Sequence, residues 1–158
     1  MKAVYIGSFD PAHLGHKNTY EKALLKLNCP IDIAICKSPL KDSGIFSMAE
    51  RKIIAEDIFK AVRVSLYESE TQILNLLNSY DLFVRGYNDE SDIVYTKKLL
   101  KKYNCENKFS CVSFIKIDDE YKNVSSSNIK NSFLYDSEFS KKYLSIMGYN
   151  MLAEKYRK

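Results

Sequence analysis

The sequence has few of the residues that form metal centres and disulfide frameworks. It contains two histidines and four cysteines among 158 residues. No two of the cysteines (Cys29, Cys36, Cys105 and Cys111) form a C-x-x-C pair, and none has a histidine close to it in the sequence. Cys36 and Cys111 fall within apolar segments that are typical of strands. We therefore expect reduced, buried thiols in a cytoplasmic protein and no metal ion held by protein side chains.

Long apolar runs, strong charge and repeats are also missing. No apolar run approaches the length of a transmembrane helix, and the N-terminus leads directly into a predicted strand, so we expect neither a membrane anchor nor a signal peptide. The net charge of +4 is compatible with an anionic substrate but too small to indicate nucleic acid. Without repeats or a Gly/Ser/Pro-rich linker, residues 1–158 are predicted to form a single domain.

Short apolar segments alternate with helical patterns along the whole chain. The predicted strands are 3–6, 31–36, 62–66, 82–84 and 109–117. The predicted helices are 14–27, 47–61, 71–79 and 89–103, one that begins at 125–127, and one or two within 136–158. Ser47 and Glu50 are spaced as a capping box. This order predicts an α/β fold, a doubly wound five-stranded parallel sheet with C-terminal helices. Ligands bind such sheets at the carboxyl ends of the strands, where the strand order reverses.

Residues 4–16 are the segment most indicative of function. An apolar strand ends at Gly7, and after a turn a helix begins near Leu14. A strand that leads through a glycine turn into a helix N-terminus is typical of a phosphate-binding site, because unpaired N–H groups and the helix dipole face one point. Both histidines of the chain, His13 and His16, lie in this turn, three residues apart and on roughly one face.

Other candidate residues also follow predicted strand ends, so we expect them at the same edge of the sheet. Ser8 offers a hydroxyl and a backbone N–H, Lys41 a point charge, and Arg85 a planar fork that binds phosphate through two hydrogen bonds. Residues 125–127, three serines at a predicted helix N-terminus, form a second candidate anion site. Three of these have a simpler alternative: Lys41 as a solvated lysine, Arg85 as part of a strand-ending turn, and residues 125–127 as a plain serine loop.

The candidate set contains no evident protein nucleophile. No serine or cysteine has an obvious base beside it, and both histidines belong to one turn. The pattern therefore favours direct transfer, in which the substrate's own phosphate attacks the α-phosphorus of a nucleotide while the protein orients both and stabilises the transition-state oxygens.

The turn resembles the signature of the HxGH nucleotidyltransferase superfamily. The residues that carry this resemblance are Gly7-Ser8-Phe9-Asp10-Pro11 followed by His13-x-Gly15-His16. Four further segments are similar to bacterial phosphopantetheine adenylyltransferases and extend the likeness over almost the whole chain. They are Ser38-Pro39-Leu40-Lys41, Phe46-x-x-x-Glu50-Arg51, Val84-Arg85-Gly86, and Val124-Ser125-Ser126-Ser127 with Lys130.

The resemblance implies adenylyl transfer from ATP to 4′-phosphopantetheine, giving dephospho-coenzyme A and pyrophosphate in coenzyme A biosynthesis. It implies a catalytic set of His13, His16, Lys41 and Arg85. It implies an ATP-binding set of Ser8, Phe9, His16, Gly86, Tyr87, Asn88, Thr96, Tyr121, Val124, Ser125, Ser126 and Ser127. It implies an acceptor-binding set of Ser8, Lys41, Thr71 and Arg85. It further implies Mg²⁺ held mainly through the ATP phosphates, and a homo-oligomer that is commonly a hexamer.

Three positions depart from the family pattern. Asn88 stands where an arginine is expected at the ATP phosphates, Thr96 replaces a glutamate near the nucleotide, and Ser69-Glu70-Thr71 occupies the usually apolar pantetheine segment. These departures leave open a related nucleotidyltransferase with another phosphorylated acceptor or with CTP. A nucleotide-binding module without catalysis is a further alternative, although binding alone would not need both histidines. A class I aminoacyl-tRNA synthetase shares the His-x-Gly-His motif, but this chain is too short to add a tRNA-binding domain.

Overall fold

A parallel sheet forms the centre of the protein in a computed structural model that describes residues 1–41, 44–61 and 63–157. Its strands, in chain order, are β1 (Ala3–Gly7), β2 (Ile31–Cys36), β3 (Val64–Tyr67), β4 (Leu82–Tyr87) and β5 (Val112–Lys116). Their order in the sheet is β3-β2-β1-β4-β5, and every neighbouring pair is parallel. The predicted doubly wound sheet is therefore confirmed.

Helices connect the strands and follow the last one. They are α1 (Leu14–Leu27), α2 (Met48–Phe59), α3 (Glu70–Ser79), α4 (Glu90–Lys102), α5 (Ser126–Ser132), α6 (Ser137–Tyr143) and α7 (Ile146–Arg157). The capping box predicted at Ser47 is present: its hydroxyl accepts from Glu50 N at 3.2 Å, and the Glu50 carboxylate accepts from Ser47 N at 2.8 Å. None of the helices in the described ranges is long and apolar enough to cross a membrane.

Helices cover both faces of the sheet, and alternate strand residues supply the two cores. Ile33 and Val84 belong to the larger core, which α1, α2, α5 and α7 complete. Ala34 and Phe83, their neighbours in the chain, belong to a second core under α3 and α4. Strands buried on both faces are expected to be apolar without a period of two, which explains the nearly continuous apolar runs of the sequence.

The last strand is shorter than predicted. The sequence analysis placed it at 109–117, but residues 106–111 form a 3₁₀ segment and β5 begins at Val112. This segment begins where Cys105 N donates to Leu100 O at 2.8 Å and Lys108 N donates to Cys105 O at 2.9 Å, which keeps the chain coiled. Val62, predicted as the start of the third strand, lies outside the described residues.

The strand order creates a crevice at one end of the sheet. β1 lies between β2 and β4, and the chain leaves β1 through α1 toward β2, whereas β4 is reached from β3 through α3. Connections on either side of the β1/β4 pair thus turn in opposite directions. Ligands of doubly wound sheets bind outside the carboxyl ends of such strands, and this is where residues 8–16 and 85–88 meet.

Candidate active site

The two histidines form a reciprocal cap at the start of α1. His13 is the N-cap residue, and its Nδ1 accepts from Gly15 N at 3.1 Å and His16 N at 3.4 Å. His16 Nδ1 in turn accepts from His13 N at 3.2 Å. The two rings stack with their centroids 3.7 Å apart. Because each Nδ1 is an acceptor, the ring proton of each neutral imidazole is on Nε2.

Both imidazoles are uncharged at neutral pH. Burial lowers the pKa of His13 from 6.5 to about 3. Burial also lowers the pKa of His16 well below 6.5, and it is lowered further by repulsion from protonated His13 and from the cations Lys41 and Arg85. His16 therefore presents Nε2–H as a neutral donor.

The ring of Phe9 lies beneath this turn. Phe9 has a positive φ of 44° and a side chain that is only 2% exposed. Its ring meets the His16 ring edge-on, at a centroid distance of 4.9 Å and an interplanar angle of 80°. A Cβ on Gly7 would lie 2.7 Å from Phe9 Cζ, so the turn needs glycine there because the ring crosses it closely. Phe9 thus contributes its backbone to the turn and its side chain to the core.

The sequence analysis ended the fourth strand at Val84, but β4 extends to Tyr87, so Arg85 and Gly86 lie within the strand and point toward its opposite faces. Arg85 Nη1 donates to Ile6 O at 2.8 Å, while Arg85 Nε is buried with no partner among the described residues. A Cβ on Gly86 would lie 2.8 Å from Thr19 Oγ1, so glycine is what lets α1 approach the strand. Arg85 therefore supplies a cation to the cleft, and Gly86 allows α1 to pack closely against β4.

Lys41 lies near α4 on the other side of the crevice. Its Nζ is 5.6 Å from the centroid of the Tyr95 ring, and the Tyr95 hydroxyl is 3.1 Å from Ser38 Oγ. The Lys41 charge reaches His16, where it is one of the causes of the lowered pKa. Lys41 and His16 therefore face the same part of the cleft.

The departures at Asn88 and Thr96 have local structural roles. Asn88 N donates to Asp92 Oδ2 at 2.7 Å, and Asn88 Nδ2 donates to Lys122 O at 3.0 Å, which ties the end of β4 to the loop before α5. Thr96 is buried, and its hydroxyl donates to Asp92 O at 3.0 Å within α4. Neither side chain supplies the charge of the residue it replaces.

The serine segment is held against the histidine turn. Ser125 is the N-cap residue of α5, and its hydroxyl accepts from Asn128 N at 3.0 Å. Ser126 Oγ donates to Pro11 O at 2.9 Å. This bond joins the predicted second anion site to the first one.

A cleft of about 1140 Å³ unites most of the predicted residues. Those on its wall are Ser8, Phe9, His13, His16, Lys41, Arg85, Gly86, Asn88, Thr96, Val124, Ser125, Ser126 and Ser127. The structure does not bring Thr71, Tyr87 or Tyr121 to this wall. Thr71 is exposed on α3, the Tyr87 ring packs against Phe114 at 6.1 Å, and the Tyr121 ring packs against Tyr143 at 6.2 Å.

A buried ion cluster at the same cleft was not among the predicted site residues. Asp10 is 6% exposed, with Arg51 Nε 3.4 Å from its Oδ1 and Lys130 Nζ 2.9 Å from its Oδ2. All three residues lie in motif segments of the sequence. Their mutual contact joins parts of the chain that are far apart, so motif spacing alone could not reveal it.

The cleft does not form a metal site from protein ligands alone. In the described part of the chain, no group of three or more His, Cys, Asp or Glu residues is arranged to hold a metal ion. Both oxygens of Asp10, the buried carboxylate on the wall, already accept hydrogen bonds. A cation at this site would therefore need ligands from a bound phosphate chain.

Comparison with known proteins agrees with this geometry. Residues 4–132 match the family model described as cytidylyltransferase-like. A phosphopantetheine adenylyltransferase of Thermotoga neapolitana is 30% identical over 142 residues, which cover 87% of this chain and 86% of the relative. One of Prochlorococcus marinus (strain MIT 9211) is 29% identical over 147 residues, with coverages of 89% and 90%.

A solved structure shares the fold. The crystal structure of Thermotoga maritima TmcAL bound with alpha-thio ATP has a TM-score of 0.66 to this chain at 12% identity. The likeness covers 99% of this chain but only 56% of that one, and at this identity it concerns the fold alone. The family match and the curated relatives support a single assignment. The chain belongs to the cytidylyltransferase-like family, and over most of its length it is similar to phosphopantetheine adenylyltransferases.

Proposed function

We propose that this protein transfers an adenylyl group from ATP to 4′-phosphopantetheine, with dephospho-coenzyme A and pyrophosphate as products. One observation carries the proposal: the neutral His16 ring lies in one cleft with the cations Lys41 and Arg85, whose charges reach it. A neutral N–H donor suits an oxygen that gains charge in the transition state, whereas fixed cations suit a phosphate that is charged throughout.

The reaction is a direct in-line transfer. A phosphate oxygen of the acceptor attacks the α-phosphorus of ATP, and the bond from that phosphorus to the bridging oxygen of the β-phosphate breaks. Pyrophosphate leaves with the bonding electron pair. His16 Nε2–H donates to a non-bridging α-phosphate oxygen, so the protein contributes orientation and charge stabilisation rather than a nucleophile.

Arg85 and Lys41 would bind the acceptor phosphate. Arg85 Nε is a buried donor without a protein acceptor among the described residues, which is costly unless a ligand supplies one. Lys41 reaches the same space from the opposite side of the crevice, above Tyr95. Two cations that approach from different elements hold a phosphate in a defined orientation, as an attacking group requires.

The ATP side of the cleft would be formed by the remaining residues of its wall. We assign to it Ser8, Gly86, Asn88, Thr96 and residues 124–127, because they line the same cleft as the histidine turn. We expect Mg²⁺ to arrive with ATP and to be held mainly by its phosphates, where it would offset their negative charge. No step of the mechanism above is assigned to the ion.

The test is pyrophosphate release from ATP and Mg²⁺, with and without 4′-phosphopantetheine, in the wild type and in His16→Ala. We expect release that depends on both the acceptor and His16. Release without acceptor dependence would contradict the proposed substrate, and full activity of His16→Ala would contradict the proposed site.

A second candidate is transfer to another phosphorylated acceptor or from CTP. It is favoured by the acceptor segment, where Thr71 lies away from the cleft and the exposed Glu68 lines it instead. A panel of ATP and CTP against phosphorylated acceptors separates the candidates. Nucleotide binding with no turnover for any pair would indicate a nucleotide-binding module without catalysis.

We also propose assembly into a homo-oligomer, with a hexamer as the expected form, in the cytoplasm. Leu134, Tyr135 and Ile146 are 74%, 80% and 84% exposed, and apolar side chains this exposed support burial against other subunits. The four cysteines are free thiols, which supports a reducing compartment. Light scattering during size-exclusion chromatography measures the assembly directly.

A further inference from the structure

One buried carboxylate connects four separate parts of the cleft wall. Asp10 Oδ1 accepts from Phe46 N at 3.0 Å and lies 3.4 Å from Arg51 Nε. Asp10 Oδ2 accepts from Ile45 N at 3.1 Å and from Lys130 Nζ at 2.9 Å. The donors come from the segment after Lys41, from α2 and from α5, while Asp10 itself belongs to the histidine turn. A buried carboxylate with this many donors holds its surroundings in one arrangement.

The cations around Asp10 are also bonded to the turn and to the same segment. Arg51, which is 8% exposed, donates from Nε to Phe46 O at 3.0 Å and from Nη1 to Ser8 O at 3.3 Å. Gly44 lies so close to Asp10 and Arg51 that a Cβ there would collide with both side chains. The cluster therefore fastens the segment 44–46 directly to the turn that carries the catalytic histidine.

All three members of the cluster line the cleft, and Lys130 is the most exposed of them. Its side chain is 23% exposed, whereas those of Asp10 and Arg51 are 8% and 9% exposed. One carboxylate between two cations leaves a net positive charge, and that charge is held at the cleft wall on Lys130. The position of the Lys130 ammonium thus depends on Asp10.

We propose that Asp10 is a positioning residue of this site, whose carboxylate holds the Lys130 ammonium at the cleft wall and fastens the segment after Lys41 to the histidine turn. The inference rests on the proposed function. It assigns Asp10 an indirect effect on nucleotide affinity through Lys130, and an effect on the acceptor through the segment that follows Lys41.

The test uses Asp10→Asn, Lys130→Met and the double variant. Asparagine has the size of aspartate, but its amide nitrogen cannot accept, so one pair of donors loses its acceptor. We expect each single variant to weaken ATP binding by about tenfold or more, as measured by calorimetry without acceptor. Because Asp10 acts through Lys130, the double variant should bind ATP within about twofold of the weaker single variant. Asp10→Asn should also raise the acceptor KM, and Lys130→Met should not.

A matched control is Lys155→Met, which breaks the 2.8 Å ion pair of Lys155 with Glu50 between α7 and α2. Lys155 is 29% exposed and does not line the cleft, so its loss should lower the melting temperature but leave the Kd of ATP within about twofold. A purely structural Asp10 would behave in the same way, with reduced stability and unchanged affinity, and that result would overturn the inference.

The remaining outcomes of the experiment also support or overturn the inference. If Asp10→Asn does not fold, unchanged ATP affinity of Lys130→Met overturns the inference, and the expected loss supports it. Effects that multiply in the double variant overturn it, because the two residues would then act independently. If the wild type binds ATP and its affinity depends on Asp10 and Lys130 as expected, but no adenylyl group is transferred, only the proposed reaction fails. A wild type that does not bind ATP contradicts both.

Discussion

His13 and His16 cap each other: each Nδ1 accepts a hydrogen bond from the other residue's backbone N–H, at 3.4 and 3.2 Å. This pairing fixes both rings in the same tautomer and stacks them 3.7 Å apart. It also uses two backbone N–H groups at the start of α1, those of Gly15 and His16, that would otherwise face a phosphate. We therefore expect phosphate binding at the proposed site to depend on the Nε2–H of His16 more than on the bare helix terminus.

The first prediction separates two roles of His16: its Nδ1 caps α1 by accepting from His13 N, and its Nε2–H is the proposed donor to the substrate. Asparagine at position 16 can still accept from His13 N, because its side-chain oxygen reaches about as far as Nδ1, but it has no group in place of Nε2. We expect His16→Asn to fold like the wild type and, like His16→Ala, to lose roughly 10²-fold or more in kcat. Steady-state pyrophosphate release and thermal melting measure the two properties. Activity restored in His16→Asn would exclude Nε2–H as the donor.

The second prediction concerns stability as a function of pH. The pKa of His13 falls to about 3 in the folded protein, so between pH 6.5 and 3 the unfolded chain binds a proton at this site that the folded chain does not. The stabilisation is thus complete above pH 6.5 and is lost as the pH falls toward 3, by about 1.4 kcal/mol per pH unit at most.

Urea unfolding at pH 7, 6 and 5 measures this slope, and His13→Asn is its control. Asparagine is a good N-cap residue but does not titrate. The free energy of unfolding of the variant should therefore fall less steeply with decreasing pH than that of the wild type. Equal slopes would show that His13 is protonated in the folded protein.

The third prediction concerns Lys41. Removing its ammonium in Lys41→Ala takes one of two cations from the proposed acceptor phosphate. We therefore expect the acceptor, 4′-phosphopantetheine, to show a KM that is higher by about tenfold or more. The Kd of ATP should stay nearly constant. Steady-state kinetics with the acceptor varied measures its KM and kcat, and calorimetry measures the Kd of ATP. An unchanged KM and kcat would remove Lys41 from the site.

The fourth prediction concerns the turn between β1 and the histidines. A Cβ at position 7 would lie within 2.9 Å of three Phe9 ring atoms, and that ring is packed against Tyr5, His16 and Phe59. Because the ring cannot easily move, Gly7→Ala should destabilise the protein by about 1–3 kcal/mol. Phe9→Leu in the same chain should recover part of this loss, which denaturant unfolding of both variants would detect. Independent, additive losses would show that the two positions do not compete for space.

Much of the fold could be predicted because its signals are local. Ser47 and Glu50 are three residues apart, and their capping box needs no information from elsewhere in the chain. The same holds for the bounds of α1 and β2, which are as predicted. The fifth strand was predicted too early because alternating apolar residues from Phe109 onward match a strand, whereas backbone hydrogen bonds to Leu100 and Cys105 keep that segment coiled.

The candidate site, like the fold, could be predicted only in part. The convergence of His16, Lys41 and Arg85 follows from their places at or beyond the carboxyl ends of parallel strands, and the structure brings all three to one cleft. The contact of Asp10 with Arg51 and Lys130 could not be predicted, because it depends on how α2 and α5 pack around the turn. Nor does the sequence indicate that His13 satisfies the helix N–H groups itself, since histidine is not among the preferred N-cap residues.

The alternation along β4 has a consequence for how the protein tolerates change. Arg85 and Gly86 are adjacent and both line the cleft, yet the Arg85 side chain offers it a cation, whereas the missing side chain of Gly86 makes room for Thr19 of α1. Inserting or deleting one residue in the strand would exchange their faces. A glycine would then stand where the Arg85 guanidinium faces the proposed acceptor site, and a guanidinium would be forced against Thr19, which is fully buried. We therefore expect substitution of Arg85 to impair mainly the proposed acceptor binding and substitution of Gly86 to impair mainly folding, whereas a shift of register would impair both at once.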